Sequence, residues 1–167
     1  MEIWDGYYEN GSLAGVDLIR GEPIPEGLYH LVSQVLIRHS DGDFLLMLRS
    51  SDKDIYPGYY EAGAGGSALK GENAIDCARR ELKEETGLYK GSLSFLGTYL
   101  SKNTIYVNYM FITGCDKSSI VLQEGETQGY KWVSEGEFIA FVNSDRIIPN
   151  QRRTFYDFFT YMDYIEE

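Results

Sequence analysis

Gly66–Leu88, GSALKGENAIDCARRELKEETGL, joins a glycine-rich loop to a helical pattern that ends before Gly87. We predict a helix from about Asn73 to Thr86, with the Asn73 side chain as its N-cap and Gly87 as a left-handed C-cap. At about 100° per residue its apolar side chains share one face: Ala74, Ile75, Ala78 and Leu82. That face should pack on a sheet, because an amphipathic helix buries its apolar face against another element.

Three carboxylates of the helix lie on or beside this apolar face: Glu81, Glu84 and Glu85. Charged residues normally occupy the opposite, solvated face, as Asp76 and Lys83 do. Carboxylates three and four positions apart repel one another, and partial burial strengthens the repulsion. A cation that prefers hard oxygen ligands, such as Mg²⁺ or Mn²⁺, would remove it. The residues therefore predict a metal site on this helix, where Arg80 can also reach Glu84 at i+4.

Length and composition exclude several classes of protein. The chain has 167 residues, enough for one domain, and its 15 basic and 26 acidic residues give a net charge of −11. Such an acidic chain repels nucleic acids and anionic membranes, and no apolar run is long enough to span a bilayer. The N-terminus lacks a secretory pattern, and two cysteines cannot form a disulfide framework. We therefore expect a cytoplasmic protein that binds neither nucleic acid nor membrane.

Strand patterns occur on both sides of the helix. Asn10-Gly11 predicts the turn of an N-terminal hairpin, formed by residues 2–8 and 13–20. The runs rich in β-branched and aromatic residues predict six further strands: 28–38, 44–48, 59–64, 92–100, 104–113 and 130–133. A strand on each side of a helix is typical of a mixed sheet.

Two more helices complete the predicted fold. Ser134 and Glu137 form the cap of a short helix, and residues 152–165 form the last one. Its apolar residues recur at helical spacing and should face the core: Phe155, Phe158, Phe159, Met162 and Ile165. The pattern favours the α/β class, as an α/β/α sandwich with a hairpin appendage over residues 1–27 and a main domain over residues 28–167.

The segment Gly66–Leu88 resembles the Nudix box, G-x5-E-x7-R-E-U-x-E-E-x-G-U, at every fixed position. The matching residues are Gly66, Glu72, Arg80, Glu81, Leu82, Glu84, Glu85, Gly87 and Leu88. The resemblance implies a Nudix-type sandwich and a hydrolase that cleaves a diphosphate linkage in a nucleoside diphosphate or a related diphosphate metabolite. The ligands that it implies for Mg²⁺ or Mn²⁺ are Glu81, Glu84, Glu85 and the backbone carbonyl of Gly65. Glu72 and Arg80 support the site, and we assign Arg80 and Glu84 to the catalytic group.

Hydrolysis of a diphosphate also needs a general base. The substrate repels hydroxide, so a divalent metal must neutralise it and activate a water whose proton a carboxylate accepts. In several family members that base lies on a loop after the box, and here the loop contains Glu124 and Glu126. We assign Glu126 to the catalytic group. Whether Glu124 or Glu126 is the base stays open, as does the interpretation of Glu126 as an exposed loop acid.

A second pattern precedes the glycine-rich loop. Arg49 and Lys53, followed by Pro57-Gly58, resemble the R-x-x-x-K and P-G motifs of the isopentenyl-diphosphate isomerase branch of the superfamily. The resemblance implies that Arg49 and Lys53 bind the diphosphate, and the alternative is that they are ordinary surface charges. Gly65 and Ser67 stand where the isomerases have cysteine and histidine, which favours hydrolysis over isomerisation.

Two alternative functions and the partners stay open. The same segment could serve an isomerase of isopentenyl-diphosphate type or a ligand-sensing domain without turnover. The expected partner is a small-molecule diphosphate whose group X could contact tyrosines; the candidates are Tyr59, Tyr60, Tyr99, Tyr106 and Tyr109. We also expect a homodimer, because Trp4, Tyr7 and Tyr8 of the hairpin could cover a sheet edge of a second copy.

Overall fold

The computed structural model describes residues 1–167. Its strands are β1 (Ile3–Tyr7), β2 (Leu13–Ile19), β3 (His30–His39), β4 (Phe44–Arg49), β5 (Tyr60–Ala62), β6 (Ala64–Ser67), β7 (Ser92–Leu100), β8 (Thr104–Thr113) and β9 (Thr127–Val133). Its helices are α1 (Ala74–Thr86), α2 (Glu135–Val142), α3 (Pro149–Thr154) and α4 (Tyr156–Tyr161). None of the helices has the length and apolarity that a membrane span requires.

Seven strands form one mixed sheet around β3. β3 and β8 run parallel, in register from His30 opposite Thr104 to His39 opposite Thr113. β4 and β6 pair antiparallel with β3, β5 and β9 pair with β4, and β7 pairs with β8. The predicted mixed sheet is therefore confirmed.

The sheet has a core on each face. Because side chains alternate along a strand, Val35 and Ile37 of β3 belong to the core beneath α1, which includes Leu82. Leu36 between them belongs to the second core, which includes Phe138 of α2. Helices on both faces of a mixed sheet are the predicted α/β/α sandwich.

Helix α1 begins and ends where the sequence predicts. The side chain of Asn73 accepts a hydrogen bond from the backbone N–H of Asp76 at 2.9 Å. Gly87 adopts the left-handed conformation, with φ of 76°, and its N–H closes the last turn of the helix. The capping box of Ser134 and Glu137 at the start of α2 is also present.

The C-terminal region differs from the single helix predicted over residues 152–165. Helix α3 begins earlier, at Pro149, which suits a first helical position because proline lacks an N–H. Phe155, with φ of −100° and ψ of 8°, separates α3 from α4. The preceding carbonyl, of Thr154, accepts a hydrogen bond of 2.7 Å from Asn108 Nδ2 on β8. A contact with the sheet therefore holds the backbone where the helix is interrupted.

Two strand predictions also need correction. The glycine-rich loop contains β6, which pairs with β3 through backbone hydrogen bonds that no side-chain pattern reveals. Strand β9 begins at Thr127, not at Tyr130, because its partner β4 extends to Arg49. Among the predicted core residues of the C-terminal region, Phe155 and Phe159 are fully buried.

The N-terminal hairpin, β1 with β2, packs on its own chain. Trp4 stacks on His30 with ring centroids 4.4 Å apart, and Tyr7 and Tyr29 exchange backbone hydrogen bonds of 2.8 and 2.9 Å. Trp4 and Tyr7 are buried there, whereas Tyr8 is half exposed. Two of the three aromatic residues proposed to cover a second copy thus cover this one. The homodimer and the domain division at residue 27 stay predictions.

Candidate active site

A cavity of about 470 Å³ lies where α1, the glycine-rich strand β6, the loops after β4 and before β9, and the N-terminal hairpin meet. We call it the acidic pocket, after the glutamates that line it: Glu2, Glu61, Glu81, Glu84, Glu85 and Glu126. The residues assigned from the sequence to metal binding, catalysis and diphosphate binding line this pocket: Gly65, Glu81, Glu84, Glu85, Arg80, Arg49, Lys53 and Glu126. The fold thus gathers residues from four separate segments, while Glu124 does not line the pocket.

Arg80 connects three glutamates of the box. Its Nε and Nη2 donate to the two carboxylate oxygens of Glu72 at 2.8 and 2.9 Å, and Nη1 donates to Glu81 at 2.7 Å. The predicted contact with Glu84 is present at 3.2 Å, but it is the longest of these bonds. Burial opposes ionisation of Glu72, yet the bonds from Arg80 and the Leu69 N–H outweigh it and lower the pKa of Glu72. Because Glu72 holds the guanidinium of Arg80 in place, Arg80 in turn orients the carboxylate of Glu81.

The surroundings of Glu85 disfavour its ionised form. Burial raises the pKa of Glu85 well above its usual range, and the charges of Glu61 and Glu81 raise it further. Its hydrogen bond comes from the backbone N–H of Gly65 at 3.4 Å, which is long. Burial also raises the pKa of Glu81 despite Arg80. A divalent cation would stabilise partly buried carboxylates that lie beside like charges, as these two do.

The side chains are not yet arranged as a formed metal centre, since no three carboxylate, imidazole or thiol groups converge at ligand spacing. Glu81 is 13% exposed and bound to Arg80, while Glu84 is 45% exposed at the mouth of the pocket. The donor set still fits Mg²⁺ or Mn²⁺, because it consists of hard carboxylate and carbonyl oxygens.

The glycines before α1 permit its close approach to the sheet. A Cβ on Gly66 would lie 2.4 Å from the carboxyl carbon of Glu81, and one on Gly65 would lie 2.7 Å from the carbonyl oxygen of Ser33. No real side chain tolerates such distances. Gly66 therefore leaves the space that Glu81 occupies, and Gly65 leaves room for the backbone of β3.

The two predicted phosphate-binding cations reach the pocket already paired. Arg49 donates to Glu61 and, through Nη2, to the carbonyl of Ile55 at 2.7 Å. Lys53 donates to Glu126 of the loop before β9. Both cations therefore lie at the pocket, opposite the glutamates of α1, and neither is an isolated surface charge.

Several lining residues were missed from the sequence. Glu61 lies on β5 between Tyr60 and Ala62, and period-two alternation next to a glycine-rich segment was a signal that could have found it. Glu2, Trp4 and Arg20 come from the hairpin, and no local pattern links them to the box.

None of the five candidate tyrosines lines the acidic pocket. Tyr59 and Tyr60 line a separate cavity of about 770 Å³ beside α2, where Lys131 Nζ lies 4.3 Å from the centroid of the Tyr60 ring. Tyr106 accepts a hydrogen bond from Asn150 of α3, and Tyr109 is buried. Stacking of a group X on these tyrosines inside the acidic pocket is therefore not available in this structure.

Comparison with solved structures defines the class of fold. The crystal structure of DR0079 from Deinococcus radiodurans superposes with a TM-score of 0.75 at 18% identity, over 91% of this chain and 96% of that one. The MutT protein from Methanosarcina mazei Go1 superposes with a TM-score of 0.61 at 23% identity, over 81% and 95%. At these identities the likeness concerns the fold, which is the Nudix sandwich.

Sequence comparison adds the family. The model of the NUDIX domain matches residues 28–158. An uncharacterized Nudix hydrolase of Listeria monocytogenes is 35% identical over 153 residues, 89% of each chain, and Nudix hydrolase 3 of Arabidopsis thaliana is 27% identical over 86% of this chain and 21% of that protein. The chain therefore belongs to the Nudix hydrolase family. Enzymes of this family act on small molecules that contain a pyrophosphate, and they generally use divalent metals.

Proposed function

We propose that the chain is a Mg²⁺- or Mn²⁺-dependent hydrolase that cleaves the diphosphate linkage of a nucleoside diphosphate or a related diphosphate metabolite. The observation that carries the proposal is Glu85, a partly buried carboxyl group that lines the pocket beside other glutamates, in a pocket that also holds Arg49 and Lys53. A carboxylate that no lysine or arginine pairs with favours a metal, and the cations Arg49 and Lys53 favour an anionic substrate.

Glu81, Glu84 and Glu85, with the carbonyl of Gly65, would hold the ion. When bound, the ion neutralises phosphate oxygens and lowers the pKa of a coordinated water. Arg80 keeps Glu81 and Glu84 on the pocket side of α1 through bonds of 2.7 and 3.2 Å. It is a positioning residue, because its bonds go to glutamates of the box and to the carbonyl of Ser67 at 3.0 Å.

Arg49 and Lys53 would bind the diphosphate oxygens in exchange for Glu61 and Glu126. That exchange frees the Glu126 carboxylate, which can then accept the proton of the attacking water. Glu126 is better placed than Glu124 to act as the base, because Glu126 lines the pocket and Glu124 does not. The charge of Glu126 also contributes to the raised pKa of Glu85.

The decisive experiment is a substrate screen with Mg²⁺ or Mn²⁺. Nucleotide sugars, dinucleoside polyphosphates, nucleoside triphosphates and prenyl diphosphates are incubated with the wild-type protein and with the Glu85→Gln variant, and phosphate-containing products are quantified. We expect metal-dependent cleavage of at least one class by wild type, lost in the variant. Metal binding without any cleavage would favour a ligand-sensing domain, and formation of dimethylallyl diphosphate from isopentenyl diphosphate would favour an isomerase. No cysteine or histidine lines the pocket for the latter reaction.

We also propose a homodimer, for which Tyr8 is the one hairpin aromatic of the three that stays exposed, and a cytoplasmic location, from the cysteine content. Both cysteines are free thiols. Light scattering at micromolar concentration tests the first, and a monomer mass would contradict it. Fractionation of cells that produce the protein tests the second.

A further inference from the structure

One wall of the acidic pocket lies outside the part of the chain that matches the NUDIX family model. Glu2, Trp4 and Arg20 of the N-terminal hairpin line the cavity together with the glutamates of α1. The family match begins only at residue 28. This wall is therefore a feature that the family assignment does not explain.

The hairpin is fixed to the loop that precedes α1. The N–H of Lys70 donates to the carbonyl of Ile3 at 2.9 Å, and the N–H of Gly71 donates to Asp5 Oδ2 at 2.7 Å. The ammonium of Lys70 also pairs with Asp17 of β2 at 2.7 Å. With Trp4 stacked on His30, these contacts hold both strands of the hairpin against the pocket. The wall is thus part of the folded domain, at a fixed distance from the box.

Arg20 is the cation that this wall adds. Its Nη1 donates to Glu2 Oε2 at 3.1 Å, and Glu2 also accepts a bond of 2.8 Å from the indole N–H of Trp4. The Arg20 side chain is 65% exposed, so exchange of Glu2 for an anionic or oxygen-rich ligand needs little reorganisation. The other three cations of the pocket bind glutamates outside the hairpin. These ion pairs are Arg49 with Glu61, Lys53 with Glu126 and Arg80 with Glu72. Arg20 alone is bound only to a glutamate of the hairpin itself.

The pocket offers little apolar surface. Two of its lining residues are apolar, Trp4, which is 8% exposed, and Leu69, which is 36% exposed. A prenyl chain gains free energy only where it covers apolar surface. Hydroxyl or phosphate oxygens, in contrast, would find a charged donor in the guanidinium of Arg20.

We propose that the N-terminal hairpin is the specificity wall of the pocket, and that Arg20 binds the group X of a diphosphate substrate whose X is oxygen-rich, a sugar or a further phosphate. This inference rests on the proposed diphosphate hydrolase function. Arg20 is a specificity-determining residue, separate from Arg49 and Lys53, which bind the diphosphate itself.

The test compares wild type with Arg20→Met, which keeps the aliphatic stem and removes the charge. The control is Arg79→Met, an arginine exposed on the outer side of α1 and absent from the pocket lining. UDP-glucose represents a sugar X, ATP a phosphate X, and farnesyl diphosphate an apolar X. We expect wild type to prefer UDP-glucose or ATP over farnesyl diphosphate in kcat/KM. For the preferred substrate, Arg20→Met should raise KM about tenfold or more, as for loss of one charge-assisted hydrogen bond, with kcat within about twofold.

A binding measurement separates this inference from the proposed function. Calorimetry with a methylene-bridged, non-hydrolysable analogue of the preferred substrate (of UDP-glucose and of ATP if nothing is cleaved) should show a Kd about tenfold higher for Arg20→Met and unchanged for Arg79→Met. Cleavage by wild type with equal KM and Kd for both variants, or a preference for farnesyl diphosphate, would overturn the inference and leave the hydrolase intact. Absence of cleavage in every protein would overturn the hydrolase. Analogue binding that depends on Arg20 would then still support the wall as a binding site, and binding indifferent to Arg20 would overturn both.

Discussion

Arg79 and Arg80 are neighbours in the chain with different surroundings. Arg79 is 63% exposed and lies 3.9 Å from Asp76, whereas Arg80 is 24% exposed and bound to Glu72 and Glu81. Removing Arg80 leaves two partly buried carboxylates without their cation. We predict that Arg80→Ala lowers the free energy of unfolding by about 2 to 4 kcal/mol, and Arg79→Ala by at most about 0.5 kcal/mol. Urea unfolding in the presence of chelator measures both, and equal losses would contradict the positioning role of Arg80.

Glu85 distinguishes a metal ligand from a structural acid. Burial and the neighbouring charges of Glu61 and Glu81 disfavour its ionised form. The change Glu85→Gln removes this repulsion, so the Tm in chelator should equal or slightly exceed that of wild type. The variant should also lose most of the metal-induced rise in Tm and at least ~100-fold in turnover.

Asp76→Asn is the matched control for Glu85→Gln, because Asp76 is a carboxylate of the same helix on its exposed side. It should keep both the metal-induced rise in Tm and the turnover. A Glu85→Gln protein that melts far below wild type in chelator, yet keeps its metal-induced rise, would make Glu85 structural.

At the scale of elements, the chain between β5 and α1 depends on two kinds of glycine. Gly63 and Gly71 both have positive φ, of 73° and 81°. A Cβ on Gly63 would lie 1.8 Å from the carbonyl oxygen of Val35, whereas one on Gly71 would meet open space. We predict that Gly71→Ala costs about 1 to 2 kcal/mol for the backbone conformation alone.

For Gly63→Ala we expect a loss of at least about 4 kcal/mol, or no folded protein, because strand β3 itself would have to move. Circular dichroism and urea unfolding of the two variants make the comparison. Similar stability of the two would show that the contact with β3 relaxes easily.

The elements also differ in how far the sequence predicts them. Helix α1 was predicted to within a residue because its caps and apolar face depend on contacts within a few residues of the chain. The interruption at Phe155 was not predicted, because the Thr154 carbonyl is bound by Asn108, 46 residues away. Strand β6 was missed for a similar reason: its partner β3, and not its composition, makes it a strand.

At the scale of the whole molecule, the hairpin and the main domain meet at His30. Burial lowers the pKa of His30 below its ordinary value of 6.5, although the contact of Nδ1 with the carbonyl of Asn103 at 3.2 Å partly offsets this. Above pH 6.5 His30 is neutral in both the folded and the unfolded chain. As the pH falls through that value the unfolded chain binds the proton first, so the folded state loses stability.

We therefore predict that wild type loses more stability between pH 7.5 and pH 5.5 than the His30→Gln variant does. Urea unfolding at the two pH values gives the difference in unfolding free energy between the proteins. If the difference in unfolding free energy between the two proteins is the same at pH 7.5 and at pH 5.5, His30 does not couple the docking of the hairpin to pH.

The sequence by itself determined the Nudix box, the boundaries of α1 and the three glutamates of that helix that are predicted to hold a metal. These depend on spacing along one helix and on turn chemistry, which are local. Only the tertiary structure decided which charges meet: Lys53 binds Glu126 across 73 residues, and Arg20 reaches the pocket from the hairpin. The physical reason is that an ion pair or a stacked ring forms wherever the packed backbone brings its partners together, and such partners leave no periodic pattern in the sequence.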